Sequence, residues 1–474
     1  MLKISPQFTP ELDPGYVPAV LWNRAYRELT TTAPDRRAFA LAVVRADGEA
    51  SVWKGEVLPA NHPQAALTFR YVERLLKFLL WQRGGCRVRV AGAPEVAAHL
   101  QSVYSTTGAR AFDHRFMGDE VYGQPFSVEA CAWADLPVEQ PVGLAVGRHR
   151  DGCRIGFDLG GSFRKVAALI DGEVVFSEST AWDPYFQADP AYHIEGVEDS
   201  LRRAAAHLPR VDAIGGSAAG VYVNNEVRIA SLFRGVSREG FEASIRRMFF
   251  DLQERWGGIP FEVVNDGEVT ALSGSISLGD NAVLGVSMGT SMAGGYVTPA
   301  GGITPWLNEL AFAPVDYAED APIDEWSGDR GCGVQYFSQQ GIDRLAAKAG
   351  IHFPDDQPLA ERLIVVQASM AAGEERALAI YETLGTLLGY AIAHYADFYE
   401  LRNVLLLGGV TAGAGGEVMV NQAIEVLRGE FPELAQRVHL SLPAEKDKRH
   451  GQAVAAASLP ALNPVSAAAN LASC

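Results

Sequence analysis

The chain has 474 residues, 48% of them hydrophobic and 20% charged. That is about three domain lengths with enough apolar content for more than one core, which excludes a fibrous, disordered or disulfide-stapled miniature protein. The formal net charge of -17 opposes a non-specific nucleic-acid or anionic-membrane surface, and it is uneven: residues 1–150 carry +2 and the remainder -19.

Five cysteines, at 86, 131, 153, 332 and 474, form no CxxC pair and leave one over, which fits a reducing compartment. The opening MLKISPQFTPELDPG lacks a signal-type apolar core, and no run approaches 18 uncharged apolar residues. A soluble cytoplasmic protein without a membrane partner is expected.

RAFALAVVR at 37–45 and SVWKGEVL at 51–58 predict a hairpin around Asp47 and Gly48. Residues 67–82 have helical apolar spacing, CRVRVAG at 86–92 alternates as a strand does, and PEVAAHLQSVYS follows as a helix. This is an α/β region whose plain reading is packing or dimerisation. The proline-containing segment 132–150 reads as a linker.

RIGFDLGGSFRKVAALIDGEVV, residues 154–175, predicts a buried strand ending at Asp158, a Gly160-Gly161 turn that lets backbone amides approach an anion, and a returning strand. Asp158 at the strand end is placed to organise magnesium and its waters. VDAIGGSAAGVYV at 211–223 reads as a strand opening into a small-residue loop. FEVVNDGEVTALSGS at 261–275 delivers Asn265 and Asp266 to the head of a helix, where capping is the competing duty for Asp266. NAVLGVSMGTSMAGGYV at 281–297 repeats the strand, glycine turn and strand, and NVLLLGGVTAGAGG at 403–416 is a buried strand leading into a glycine loop. Four glycine-rich turns at strand ends imply a cleft built from two related halves.

In this order and spacing the motifs resemble those of the actin-like ATPase and sugar-kinase superfamily, and more narrowly the ROK family, over about residues 153–460. DLGGSFRK looks like the first phosphate motif, with Ser162 in place of the more usual threonine. VVNDGEVTAL looks like the segment with the catalytic aspartate, MGTSMAGG like the second phosphate motif, and LLLGGV like the adenosine motif. The resemblance implies a two-lobed α/β fold of ribonuclease H-like type. Its lobes would span 151–275 and 276–474, with an extra α/β domain at 1–150 that could be a degenerate lobe and a final helix that could return to the first lobe.

The implied activity is ATP- and magnesium-dependent phosphorylation of a hexose or related sugar. Asp266 would be the general base and Asp158 the magnesium residue, through water. Gly160, Gly161, Ser162, Lys165, Gly289, Thr290 and Ser291 would enclose the phosphates, helped by Arg164, and Gly408 and Gly409 would border the adenosine. Asn265, Ser217, Asn224, Asn225 and Glu309 would contact the acceptor, with turn capping the competing reading for the loop asparagines.

Two family features are missing. In Trp306-Leu307-Asn308-Glu309-Leu310-Ala311-Phe312, which resembles the Glu-x-Gly-His substrate motif, Glu309 matches while Ala311 and Phe312 replace glycine and histidine. SGDRGCGVQYFSQQ retains only Cys332 of the zinc motif, so no structural zinc is expected. Residues 374–399 predict a long core helix, HGQAVAAASLPAL from 450 a small-residue helix, and 463–474 a loose tail. No recognition helix for DNA is evident, so no nucleic-acid partner is expected, and a homodimer is compatible with the first region. Two other functions fit the same cleft: a noncatalytic sugar- or nucleotide-sensing protein, or a kinase for a polyol or sugar acid.

Overall fold

The hairpin around Asp47 and Gly48 seeds the first sheet: β1 (Arg37–Val44) and β2 (Ala50–Val57) pair antiparallel with Val44 opposite Ala50. Gly48 takes the positive φ the turn needs, and the Asp47 carboxylate accepts the Glu49 amide. β3 (Arg87–Ala91) joins β1 antiparallel, and β4 (Ser127–Cys131) joins β3 in parallel, giving the order β2-β1-β3-β4. The structure is a computed structural model describing residues 2–139, 146–443 and 451–462. The tail 463–474, His450 and part of the expected linker lie outside the described residues.

A five-stranded sheet follows, built from β5 (Cys153–Leu159), β6 (Phe163–Ile170), β7 (Glu173–Ala181), β8 (Ala213–Ala218) and β11 (Phe261–Asn265), in the order β11-β8-β5-β6-β7. β5, β6 and β7 form an antiparallel meander, onto which β8 and β11 add in parallel. A small hairpin of β9 (Val221–Val223) and β10 (Glu226–Ile229) stands beside it. β12 (Val283–Met288), β13 (Met292–Val297), β14 (Asn403–Leu407) and β15 (His439–Ser441) form the last sheet, ordered β13-β12-β14-β15.

The first sheet does not repeat the five-stranded one. After the hairpin, the next strand to join the first strand runs antiparallel to it in the first sheet and parallel in the larger sheet. A degenerate copy of the lobe would keep the parallel crossover, so that reading of residues 1–150 is corrected.

The chain divides into two compact units. One comprises Met1–Pro141, Val286–Gly294 and Trp306–Leu442; the other comprises Val142–Gly285, Gly295–Pro305 and Pro443–Cys474. These boundaries differ from 1–150, 151–275 and 276–474, because the N-terminal residues belong with 306–442. Asp13 pairs with Arg344 and Lys348 at 2.6 Å each, Arg27 pairs with Asp397 at 2.9 Å, and the Tyr16 hydroxyl donates to the Val315 carbonyl at 3.0 Å.

In the second unit Ile155, Phe157, Leu201, Ile214, Phe249 and Phe261 belong to one buried core. The other face of the sheet receives the helix Gly451–Ala457. A side chain at Gly156 or Gly215 would strike the backbone of Ala453 or Ala456, so two glycines and an alanine helix are what allow this contact. Gly215 and Gly216 therefore lie inside β8, which corrects the expectation of a loop opening there. In the first unit the long core helix runs Glu375–Tyr395, buried throughout from Thr383. No helix among the described residues is long and apolar enough to cross a membrane.

Candidate functional site

β5 carries Asp158 next to its last residue, and the sheet register places Lys165 of β6 and Ser217 of β8 on either side of it. Lys165 Nζ donates to Asp158 Oδ2 at 3.0 Å and Ser217 Oγ donates to Oδ1 at 2.8 Å. Asp158 is 4% exposed and Ser217 fully buried, so these bonds fix the carboxylate against the loss of its hydration. Ser217 is thus a positioning residue for Asp158, which corrects its expected contact with the acceptor.

Asn265, the last residue of β11, caps the helix Asp266–Leu278: its Oδ1 accepts the Gly267 amide at 2.7 Å, and its Nδ2 donates to the Gly220 carbonyl at 2.7 Å. The capping duty that competed for Asp266 falls to its neighbour, and Asp266 occupies the first helical turn. Burial and then the negative charge of Asp158 push its carboxyl up to about 6, although the Gly267 and Asp266 amides pull it down. Glu268, two residues on in the same first turn, is 3% exposed and accepts the Tyr296 amide at 3.1 Å. It ties β13 to the helix that presents Asp266, a role no local pattern announces.

The Gly160–Ser162 turn closes through the Gly160 amide and the Phe163 carbonyl at 3.0 Å. Trp182 braces it twice, through Nε1 to the Gly160 carbonyl at 2.7 Å and through its amide to the Ser162 carbonyl at 3.1 Å. Tyr185 packs its hydroxyl end on Gly161, where any side chain would collide with it. The turn is therefore braced on both sides, with the Gly160 amide committed to the turn itself. Arg164 alternates to the other face of β6 and pairs with Asp199 at 3.1 Å, so it does not join Lys165 at the carboxylate.

The remaining acceptor candidates of this unit have other work. Asn224 and Asn225 both take positive φ in the β9–β10 turn, Asn224 being exposed at its tip. Asn225 clamps the hairpin to β11, donating to the Phe261 carbonyl and accepting the Val263 amide at 2.7 Å each. Asn225 is thus committed to the hairpin, which leaves Asn224 at its exposed tip.

The first unit holds the other motifs. The Gly289 amide donates to the Ser291 carbonyl at 2.8 Å, leaving Thr290 and Ser291 exposed at the tip, while the Gly289 carbonyl accepts the Gln339 amide at 2.9 Å. Gly408, with φ +95°, lies directly on the Met288 backbone and so joins this turn to β14. The Gly409 carbonyl accepts Gln367 Nε2 at 2.7 Å. Beyond it is a cavity of about 160 Å³ bordered by Met370, Tyr381, Gly413, Ala414 and Gly415. Glu309 is half-buried, with its amide on the Trp81 carbonyl at 2.9 Å. Phe312 joins an aromatic cluster, its ring 4.4 Å from Trp81 and 5.9 Å from the exposed Trp326.

Cys332 also lies in this unit, fully buried, with Sγ 3.8 Å from Asp329 Oδ2; burial pushes its thiol up to about 12. Asp329 is the centre of an ion network. Lys77 and Arg74 reach it at 3.2 and 3.0 Å and Arg110 bonds it as well, while Lys77 also holds Asp113 at 2.9 Å. The Trp81 indole donates to Asp113 at 2.6 Å. The helix Ala66–Arg83 thus supplies cations to the stretch that carries the lone cysteine.

No family model matches the chain, and no curated protein matches it. Two solved structures resemble it in fold. A ROK family transcriptional regulator, described as a homolog of the E. coli MLC protein, is similar at 18% identity over 65% of this chain and 77% of its own, with a TM-score of 0.52. A ROK hexokinase from Thermus thermophilus is similar at 18% identity over 64% of this chain and 96% of its own, with a TM-score of 0.51. The α/β fold is that of ROK proteins.

Proposed function

We propose that this chain, with the ROK fold, is an ATP-dependent kinase for a hydroxyl of a hexose or related sugar, with Asp266 as the general base. The observation that carries this reading is the pairing of two carboxylates with opposite fittings. Asp158 accepts hydrogen bonds from Lys165 and Ser217, while burial and the Asp158 charge bring Asp266 to about 6, close to the working range of a base. Asp266 accepts the proton of the acceptor hydroxyl as that oxygen bonds to the γ-phosphorus. The bond from phosphorus to the bridging oxygen breaks, and ADP leaves. Most of the acceleration in such a transfer comes from alignment and charge stabilisation, which braced turns such as Gly160–Ser162 supply.

The residues fit magnesium. Each Asp158 oxygen accepts one hydrogen bond and keeps a lone pair for a water, and magnesium needs only one or two carboxylates when it retains its waters. Asp158 would hold the ion through water, and the ion would neutralise charge on the phosphates. Gly289, Thr290 and Ser291 would complete the phosphate enclosure, with Gly408 and Gly409 beside the adenosine. Asn265 retains one N–H for an acceptor hydroxyl, and Glu309 is a second acceptor contact.

A noncatalytic sensing role is the second reading. It is favoured by the equal fold similarity to a transcriptional regulator and by the aromatic surroundings of Phe312. The deciding experiment follows ADP release with ATP, magnesium and a panel of sugars, amino sugars, polyols and sugar acids. Acceptor-dependent turnover that collapses in Asp266→Asn supports the kinase; tight sugar binding with no turnover supports the sensor.

A further inference from the structure

The helix Ala66–Arg83 lies in the N-terminal region, before the first of the glycine-rich turns, yet its end is built into the segment that holds Glu309. The last carbonyls of a helix have no partner within it. Here the Trp81 carbonyl accepts the Glu309 amide and the Gln82 carbonyl accepts the Asn308 amide, both at 2.9 Å. Gly84 ends the helix at φ +75°, and its amide takes the Leu80 carbonyl, so the next two carbonyls are left to the segment.

The side chains at that helix end grip the same segment. Arg83 lays its guanidinium over the Trp306 ring, 3.4 Å from the centroid, and donates to the Phe398 carbonyl at 3.3 Å. The fully buried Gln82 donates to that carbonyl at 3.0 Å and accepts Arg83 Nε at 3.2 Å, so the plane of the cation is set along its edge as well as its face. Asn308, 1% exposed and at φ +49°, accepts the Tyr399 hydroxyl at 2.7 Å. Asparagine is one of the few residues that take this left-handed backbone readily. A planar cation stacked on an indole and bonded along its edge has one orientation, which an ammonium does not reproduce.

We propose that Arg83 is a positioning residue for the acceptor: by holding Trp306 it keeps Asn308 and Glu309 on the carbonyl end of the helix, and so fixes where Glu309 is presented. This rests on the reading of Glu309 as an acceptor contact, and it gives the N-terminal region a part in the transfer. A binding group that is already ordered spares the acceptor the cost of ordering it, so loss of the stack appears as weaker acceptor binding.

The test is Arg83→Met in the full chain, with ADP release followed at varied MgATP and at varied concentrations of the panel sugar that is turned over fastest. KM for that sugar should rise about tenfold, while KM for MgATP stays within about twofold. Glu309→Gln should raise the sugar KM as well, and Arg83→Met should add little in that background, because both act through one contact. Arg83→Lys, which keeps the charge and loses the flat stack, should recover only part of the affinity. If Arg83→Met does not fold, Trp306→Leu removes the same stack from the other side and is read by the same constants. Two results overturn the proposal and leave the kinase reading standing: a sugar KM in Arg83→Met equal to the parent's, or an effect that simply adds to that of Glu309→Gln, as loosened packing would give. An unchanged sugar KM in Glu309→Gln overturns it too, since Glu309 is then no acceptor contact. If the parent shows no acceptor-dependent turnover, the kinase reading fails and this proposal with it.

Discussion

Each unit buries a carboxylate, Asp329 in the first and Asp266 in the second, and these two are fitted in opposite ways. In the first unit, burial would raise Asp329, but Lys77, Arg74 and Arg110 outweigh it and hold the carboxyl well below its ordinary range. In the second, Asp266 has no ion-pair partner among the described residues, and burial and then the Asp158 charge push it up to about 6. The first arrangement makes the ionised form comfortable and commits those charges to holding the chain together. The second leaves the ionised form unsatisfied, and an unsatisfied base is one that takes a proton.

Substitutions can break this contrast, beginning with its functional side. Asp266→Asn should lower kcat by about 10²–10⁴-fold, the usual contribution of a positioned base, in the coupled assay of ADP release. On the structural side, Lys77→Met leaves Asp113 and Asp329 short of a buried partner and should destabilise the first unit by about 3–5 kcal/mol in urea unfolding. Adding Asp113→Asn to that variant should recover part of the loss, because it removes one of the two stranded charges. A near-neutral Lys77→Met would show that the network contributes little.

The pH dependence sharpens the same contrast. Asp266 is raised from its ordinary 3.8 to about 6, so between those values the folded chain binds more protons than the unfolded one. Its contribution to stability therefore falls as pH rises through that window, and Asp266→Asn should be more stable than the parent at pH 7 by about 2–3 kcal/mol. Asp329 has the opposite sign. Its depressed carboxyl contributes stability above its ordinary 3.8, which is lost as pH falls. Unfolding curves of Asp266→Asn and Asp329→Asn across pH 3–8 should show these opposite slopes removed, and parallel curves would refute the contrast. The smallest effect is expected from Asn265→Ala, about 1 kcal/mol of lost helix cap, read as a lower urea midpoint with an unchanged slope.

Much of the second unit was legible in the sequence. Buried strands ending in Asp158 and Asn265 are marked by apolar runs followed by a glycine turn or a helix start, signals carried within about ten residues. What needed coordinates was anything set by register or by distant chain. Ser217 looked like a loop serine because Gly215 and Gly216 precede it. Gly215 instead seats a helix from residue 451 onward while Gly216 lies on the Phe157 ring, and the sheet then places Ser217 opposite Asp158. The network at Asp329 was illegible for a related reason: its cations come from Arg74, Lys77 and Arg110, more than two hundred residues earlier. The search for zinc ligands near Cys332 looked for a local spacing, whereas the charges that surround this cysteine come from the N-terminal region.

The seat formed by Gly156 and Gly215 has a consequence for how the protein is made. The second unit begins at residue 142, yet the helix that covers one face of its sheet is Gly451–Ala457. During synthesis, the sheet strands and Asp266 leave the ribosome well before the helix Gly451–Ala457. Until that helix emerges, the face of β5 and β8 that carries the two glycines is bare. Domains ordinarily fold as units in the order they are made, and uncovered sheet faces are prone to association. A chain truncated before residue 451 should thus expose this face and aggregate, and completion of the unit that holds both acids waits on residues 451–457.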